Sequence, residues 1–372
     1  MSSTQLHTAR PNLSRRRFLQ RATAALSGLA LSGCGWTLAD VRTTVKTAAD
    51  VLYIYTWAGY TDSDLLDRFT QETGIRAIAD VFSSNEEMLA KLQAGAGGAY
   101  SIIYPSDYMV LKMRDRDLLT ELDHSQIVGL DRLYSRFQNP QYDPGDRYSI
   151  PVSWGTTGLI YNAKVLNPSP TDWLYLWENQ DKIYKRMTLL NDPRETIGAV
   201  LRMLGYSYNS KDPKAIERAY QKLEELKPAI ASFDSDAWRS QMITGDLKIA
   251  MCYSSDANEV IPENEDLRYV LPTSGSSLWM DTLVIPAAAP NPDAAYAWIN
   301  FMLQPEIAAE ICQRLSFATP NEVAFNLLPT EVQNNVTLFP PNPALGNSES
   351  LIPLEDNILS IYDRYWTRLT SG

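Results

Sequence analysis

The chain has 372 residues, 45% of them hydrophobic, with 33 basic against 44 acidic side chains and a formal net charge of −11. That length suits two globular domains of roughly 100–200 residues each, while two histidines and three cysteines exclude a histidine-rich metal centre and a disulfide framework. No run of 18 apolar residues is present to span a bilayer, and the five arginines of the acid-free first 33 residues leave a remainder near −16, the wrong sign for a phosphate-backbone partner.

In chain order, an address comes first. Ser14-Arg15-Arg16-Arg17-Phe18-Leu19 is a twin-arginine pattern; a small-residue apolar stretch covers 22–32, and Leu31-Ser32-Gly33-Cys34 reads as a lipobox. Residues 1–33 are therefore expected to be an export signal, with Cys34 the acylated first residue of the mature chain. A lipid anchor there would hold the body at a membrane surface, and residues 34–50 read as a polar tether.

The body alternates strands and helices. A β-branched and aromatic run predicts a strand over 51–56. Leu65, Leu66 and Phe69 predict a helix over 62–73, stopped by Gly74. A strand follows over 75–82, and Ser84-x-x-Glu87 is a capping box for a helix carrying Met88, Leu89 and Leu92. Further strands are expected over 101–104, 158–162, 187–190, 248–253, 268–271 and 278–285, and helices over 195–204, 213–226, 293–302, 305–315 and 352–369. Strands separated by helices imply parallel sheets built from right-handed crossovers. Extended crossings near 150–157 and 275–280 would join two such sheets and leave a cleft, a favoured place for a ligand.

Eight short motifs then occur in one order. They are Tyr55-Thr56-Trp57-Ala58-Gly59-Tyr60, Gly98-Ala99-Tyr100, Tyr104-Pro105-Ser106-Asp107-Tyr108, Tyr148-Ser149-Ile150-Pro151, Asp192-Pro193-Arg194-Glu195, Leu278-Trp279-Met280-Asp281, Ala318-Thr319-Pro320-Asn321 and Ser360-Ile361-Tyr362. Together, from about residue 51 to the C-terminus, they resemble the spermidine/putrescine-binding proteins of polyamine ABC importers. The resemblance implies the α/β, two-lobed periplasmic-binding-protein fold, each lobe a mixed, mostly parallel sheet with flanking helices. One lobe would take residues 51–155 and 279–323, the other 156–278 and 324–372. It implies binding without chemistry: no enzyme, no cofactor and no metal. The partners would be a polyamine, a permease and its ATPase subunits, and the protein a lipid-anchored monomer in the periplasm after twin-arginine export.

The resemblance maps the ligand onto Asp192, Glu195 and Asp281 as carboxylates. Trp57, Tyr60, Tyr108, Tyr253, Trp279 and Phe317 would be walls, and Ser106 a hydroxyl donor. The residue types suit that cargo. A polyamine is a flexible methylene chain with two to four ammonium groups, and aromatic faces both pack on CH₂ and attract the cation, at about 0.5–2 kcal/mol per desolvated contact. Clustered acids repel one another until a polycation neutralises them and favours closure. Where the family has a glutamate between Trp57 and Tyr60 this chain has Gly59, and Asp107 is placed to supply a charge. Tryptophan and tyrosine are replaced by Tyr253 and Phe317, and a glutamine near the C-terminal helix has Glu349, Ser350 or Glu355 as candidate replacements.

Plainer roles compete. Asp192-Pro193-Arg194-Glu195 is good N-terminal capping chemistry without any ligand, and Tyr253 would serve as an ordinary core tyrosine. Trp279 and Asp281 have the same strand parity and so share a face. Three other functions stay open. A carboxylate-pair glycoside hydrolase would use Asp192 and Asp281; a hydrolase built on His124 lacks a G-x-S-x-G elbow. A binding protein for another cationic or small polar solute, such as ferric ion or an amino acid held by Arg194, and a ligand-free structural lipoprotein are the others. Cys252 and Cys312 are expected as unpaired buried thiols.

Overall fold

The computed structural model describes residues 50–371; the twin-arginine segment, Cys34 and the tether lie outside the described residues. The nine strands are β1 Val51–Trp57, β2 Arg76–Phe82, β3 Ile102–Ile103, β4 Ser149–Asn162, β5 Met187–Leu189, β6 Ile230–Phe233, β7 Ile249–Tyr253, β8 Leu267–Val270 and β9 Leu278–Val284. Their order is β2-β1-β3-β9-β4-β7-β5-β6, with β8 also on β4. The outer pairs β1–β2, β1–β3, β5–β6 and β5–β7 are parallel, whereas β9 and β4 run antiparallel to their neighbours.

β4 is the central difference from expectation. An extended crossing near 150–157 and a separate strand over 158–162 were expected, yet residues 149–162 form one strand of 14. The register with β9 shifts between Pro151 and Ser153, an irregularity that lets a residue without an N–H sit inside a ladder. The first part of β4 pairs with β9 and the last with β7 and β8. One strand thus passes from one half of the body to the other.

The helices that bear on the site are α1 Ser63–Thr73, α2 Asn85–Gln93, α3 Asp107–Arg114, α4 Pro193–Met203, α5 Pro213–Leu226, α6 Trp238–Thr244, α7 Ser254–Val260, α8 Pro292–Met302, α9 Pro305–Arg314, α10 Glu322–Leu327 and α11 Asp356–Thr370. Caps act largely as the sequence implies. Asp62 caps α1 through the Leu65 N–H, and α1 stops at Gly74 with φ +74°. Ser84 accepts from the Glu87 N–H, but Glu87 reaches back to the N–H of Ser83 rather than Ser84. α3, α6, α7, α10 and strand β6 were not expected: they are short, and α7 follows β7 with no loop between them.

Two separate cores result. Leu52, Ile54, Phe69, Ile102, Leu283 and Trp298 pack on one face of the β1–β3–β9 sheet, and Tyr55, Met109, Met113 and Val284 on the other. Leu159, Leu189, Ile197, Leu223, Ile249 and Tyr362 form the core of the other half. Residues of 324–345 pack with Cys312 on α9 and with Trp154 and Met280, on the first half, before the chain joins the second core at Leu351. Cys252 on β7 and Cys312 on α9 are free and buried as expected, and burial pushes the Cys312 thiol up to about 12. Among the described residues no helix is long and apolar enough to cross a membrane.

Candidate functional site

Asp281 lies on β9 opposite Ser153 of β4 and bridges to Ser106, the residue that opens α3. Ser106 Oγ donates to Asp281 Oδ1 at 2.7 Å, and the Tyr60 hydroxyl donates to Oδ2. Asn85 Nδ2 in turn donates to Ser106 Oγ and to the Tyr108 hydroxyl, both at 3.1 Å, and Tyr108 donates to exposed Glu86 at 3.3 Å. Tyr60 packs on Phe317 with the rings tilted by 41° and centroids 4.1 Å apart. Asp281 is 6% exposed; burial lifts its carboxyl to about 6, against the opposing pull of the two hydroxyls.

The second acid group sits where β5 gives way to α4. Asp192 accepts from the N–H groups of Arg194 (2.8 Å) and Glu195 (3.0 Å), the capping role foreseen for it, with Pro193 at the first helical position. Glu195, 2% exposed, points elsewhere: it accepts from the Tyr208 hydroxyl at 2.8 Å and from Ser277 Oγ at 2.9 Å. Burial first, and then the Asp192 charge, raise its carboxyl to about 7. Capping and a free-standing acid are therefore divided between the two residues of the motif. Arg194 turns away, giving Nη2 to Asn209 Oδ1 (2.9 Å) and the Ile352 carbonyl (3.2 Å).

The candidate walls lie beside these groups or, for Trp57, on Phe82. Trp279 pairs with Gly155 across β9–β4, and a Cβ at residue 155 would lie 2.2 Å from the indole, so the strand needs glycine there for the ring to seat. Tyr253 meets Trp279 edge-on with centroids 5.9 Å apart. It ends a core strand and lies within electrostatic range of Asp192, Glu195 and Tyr108. Trp57 packs on Phe82 at 4.5 Å, and its indole N–H is buried without a partner, as is that of Trp279. Gly59 has φ +79° in the turn that brings Tyr60 back over Trp57, a conformation a glutamate would strain.

Nine of the ten residues thus fall in these two hydrogen-bonded groups or on rings beside them; the Trp57 ring packs on Phe82 instead. Glu86 of the first half feels Asp192 of the second, so the two groups converge. The candidate replacements at the C-terminal end do not join them: Glu349 pairs with Arg202 at 3.0 Å and Glu355 with Lys211 at 2.8 Å, while Ser350 offers its carbonyl to Asn209. His124 is exposed and bonds the Asp146 carbonyl at 2.7 Å. Two surface grooves of about 400 and 460 Å³, one along α9 and one along β6, are lined by none of the site residues.

Sequence reasoning missed Asn85, Tyr208 and Ser277, the donors that orient the acids. Ser277 was within reach of the parity argument, since 277, 279 and 281 alternate onto one face. Tyr208 and Asn85 carry no local signal, because their partners lie in other segments.

The family of bacterial extracellular solute-binding proteins matches residues 64–340. This chain belongs to that family. It is 37% identical over 325 residues to the spermidine/putrescine-binding periplasmic protein of Salmonella typhimurium, covering 87% of this chain and 92% of that one. Among solved structures it is similar to the spermidine/putrescine ABC transporter substrate-binding protein PotD of Streptococcus pneumoniae. That match has a TM-score of 0.78 and 38% identity and covers 87% and 99% of the two chains. It is also similar to the Tp0655 (TpPotD) lipoprotein of Treponema pallidum (TM-score 0.79, 27% identity, 87% and 100%). The two halves are the two lobes of this fold, and a solute-binding protein is not an enzyme, so the glycoside-hydrolase alternative is set aside.

Proposed function

We propose that this solute-binding protein captures spermidine or putrescine between its lobes and delivers it to an ABC importer. The observation that carries the reading is the way the acids are satisfied. Asp281, Asp192 and Glu195 accept hydrogen bonds from hydroxyls and backbone N–H groups, and among the described residues none forms an ion pair with lysine or arginine. Neutral donors fix the orientation of a carboxylate and leave its charge for an incoming cation. Trp57, Tyr60, Tyr108, Tyr253, Trp279 and Phe317 supply the faces along which methylenes lie. A ferric site gains nothing from such walls, and an amino acid would need Arg194, which is turned to Asn209.

The lobes we assign are residues 51–155 with 279–345, and 156–278 with 346–371; packing of 324–345 on α9 supports moving that segment into the first lobe. β4, which passes from one lobe to the other, and the lobe boundary at the start of β9 are the proposed hinge. Delivery requires a permease and its ATPase subunits, met by the monomer. The Treponema relative is called a lipoprotein; with the order of twin arginines, apolar stretch and Cys34, this supports twin-arginine export followed by lipid anchoring in the periplasm. Thermal-shift and calorimetric titration with spermidine, putrescine, Fe(III), sugars and amino acids tests the ligand class. A response to the amines alone is expected, and no response to any amine refutes it. Cys34→Ala is expected to move the protein from the membrane to the soluble fraction; retention on the membrane would refute the anchor.

A further inference from the structure

We propose that Asp107 is a specificity-determining carboxylate of the amine site, one that engages the internal nitrogen of a triamine. The inference rests on the polyamine reading above and gives a stated role to Asp107, which the sequence offers only as a candidate source of charge.

Asp107 is the first residue of α3 and is 1% exposed. Its Oδ1 accepts the N–H of Tyr108 at 2.7 Å, while Oδ2 is buried and has no hydrogen-bond partner. Its flanking residues, Ser106 and Tyr108, are both members of the network that holds Asp281. The carboxylate lies within electrostatic range of Asp281 in one lobe and of Glu195 in the other, and so meets the field of both acid groups. The other groups facing it are Arg194, whose Nη2 is already given to Asn209 and the Ile352 carbonyl, and Tyr142, whose hydroxyl points to the Met280 sulfur at 3.8 Å. Neither bonds Asp107.

A buried acid with a free oxygen, set among other acids, is costly, and its burial pushes the carboxyl well above the usual carboxylate range. An ammonium supplies both the missing donor and the missing charge. A diamine has two charged ends, which Asp281 on one side and Asp192 with Glu195 on the other take up. A triamine has a further nitrogen between its ends, and Asp107 stands where both ends are felt. The competing role is local: an acid in the first turn of a helix is favourable on its own.

Calorimetric titration of the full chain with putrescine and with spermidine separates these roles, using Asp107→Asn and, as a second small replacement, Asp107→Ser. The expected result is at least a tenfold loss of spermidine affinity with less than a threefold change for putrescine. The ligand-free melting temperature should be unchanged or raised, because a buried carboxyl oxygen without a hydrogen-bond partner has been removed. Parallel changes for the two amines, no change for either, or a lowered melting temperature with spermidine affinity intact would overturn the assignment of Asp107. Wild-type protein that takes up neither amine would instead overturn the polyamine reading, and this one with it.

Discussion

The two acid groups solve one problem differently. Asp281 stands alone on a strand and is held by Tyr60 and Ser106, side chains from two other segments. Asp192 and Glu195 share a helix N-terminus: one is satisfied by that helix's own N–H groups, the other by Tyr208 and Ser277. Burial raises both carboxyls, Glu195 to about 7 and Asp281 to about 6, and at Glu195 the neighbouring Asp192 charge adds to it, against a helix terminus that favours negative charge. If the polyamine reading holds, a solitary acid should be the stronger single anchor for an ammonium, while a pair shares the work.

Asp281→Asn is expected to have the largest effect. It removes the carboxylate held by Tyr60 and Ser106 and leaves those donors in place, and spermidine binding should weaken by about 1.5–3 kcal/mol, the range for a charge-assisted contact. An unchanged dissociation constant in calorimetry would take Asp281 out of the site. Gly155→Ala comes next. Its Cβ would collide with Trp279 and Ser254, so overpacking should cost about 1–3 kcal/mol in denaturant unfolding and weaken binding as Trp279 is displaced; a variant as stable as wild type breaks the account of that wall. Glu195→Gln should cost about 1 kcal/mol of binding, less than Asp281→Asn, because Asp192 remains and the repulsion between the pair is relieved. A larger loss than at Asp281 would reverse the comparison.

The pH response is a further test. Both Glu195 and Asp281 are raised above their unfolded values near 4, so over the window from about pH 4 to 7 the folded protein holds more protons than the unfolded chain. The stability these groups contribute is full below that window and is lost as pH rises through it. The ligand-free melting temperature should therefore fall between pH 5.5 and 8, while amine affinity rises roughly tenfold as the acids ionise, with proton release visible in buffers of different ionisation heat. A flat profile would mean the acids are already charged at pH 5.5. The smallest effect expected is for Tyr60→Phe, about 0.5–1.5 kcal/mol of binding for one lost hydroxyl donor to Asp281.

Much of this was legible in the chain. The strand–helix alternation, the caps at Asp62, Ser84 and Asp192 and the shared face of Trp279 and Asp281 are local facts of spacing and side-chain chemistry. The long β4 was not legible, because Pro151 and Gly155 argue for a break and only pairing with β9, β7 and β8 holds the strand together. The donors Asn85 and Tyr208 were not legible either, since a hydrogen bond between distant segments leaves no periodic trace.

By itself the sequence determined the parts: which runs pair as strands, where helices begin, and which acids and rings are available, since backbone sterics and hydrophobic period act over a few residues. Tertiary structure alone decided that those acids are held by hydroxyls rather than cancelled by arginines, that Arg194 turns away, and that Asp107 keeps an oxygen without a partner. Charge compensation depends on distance in space, and residues nearly two hundred positions apart become neighbours only after the two lobes have formed.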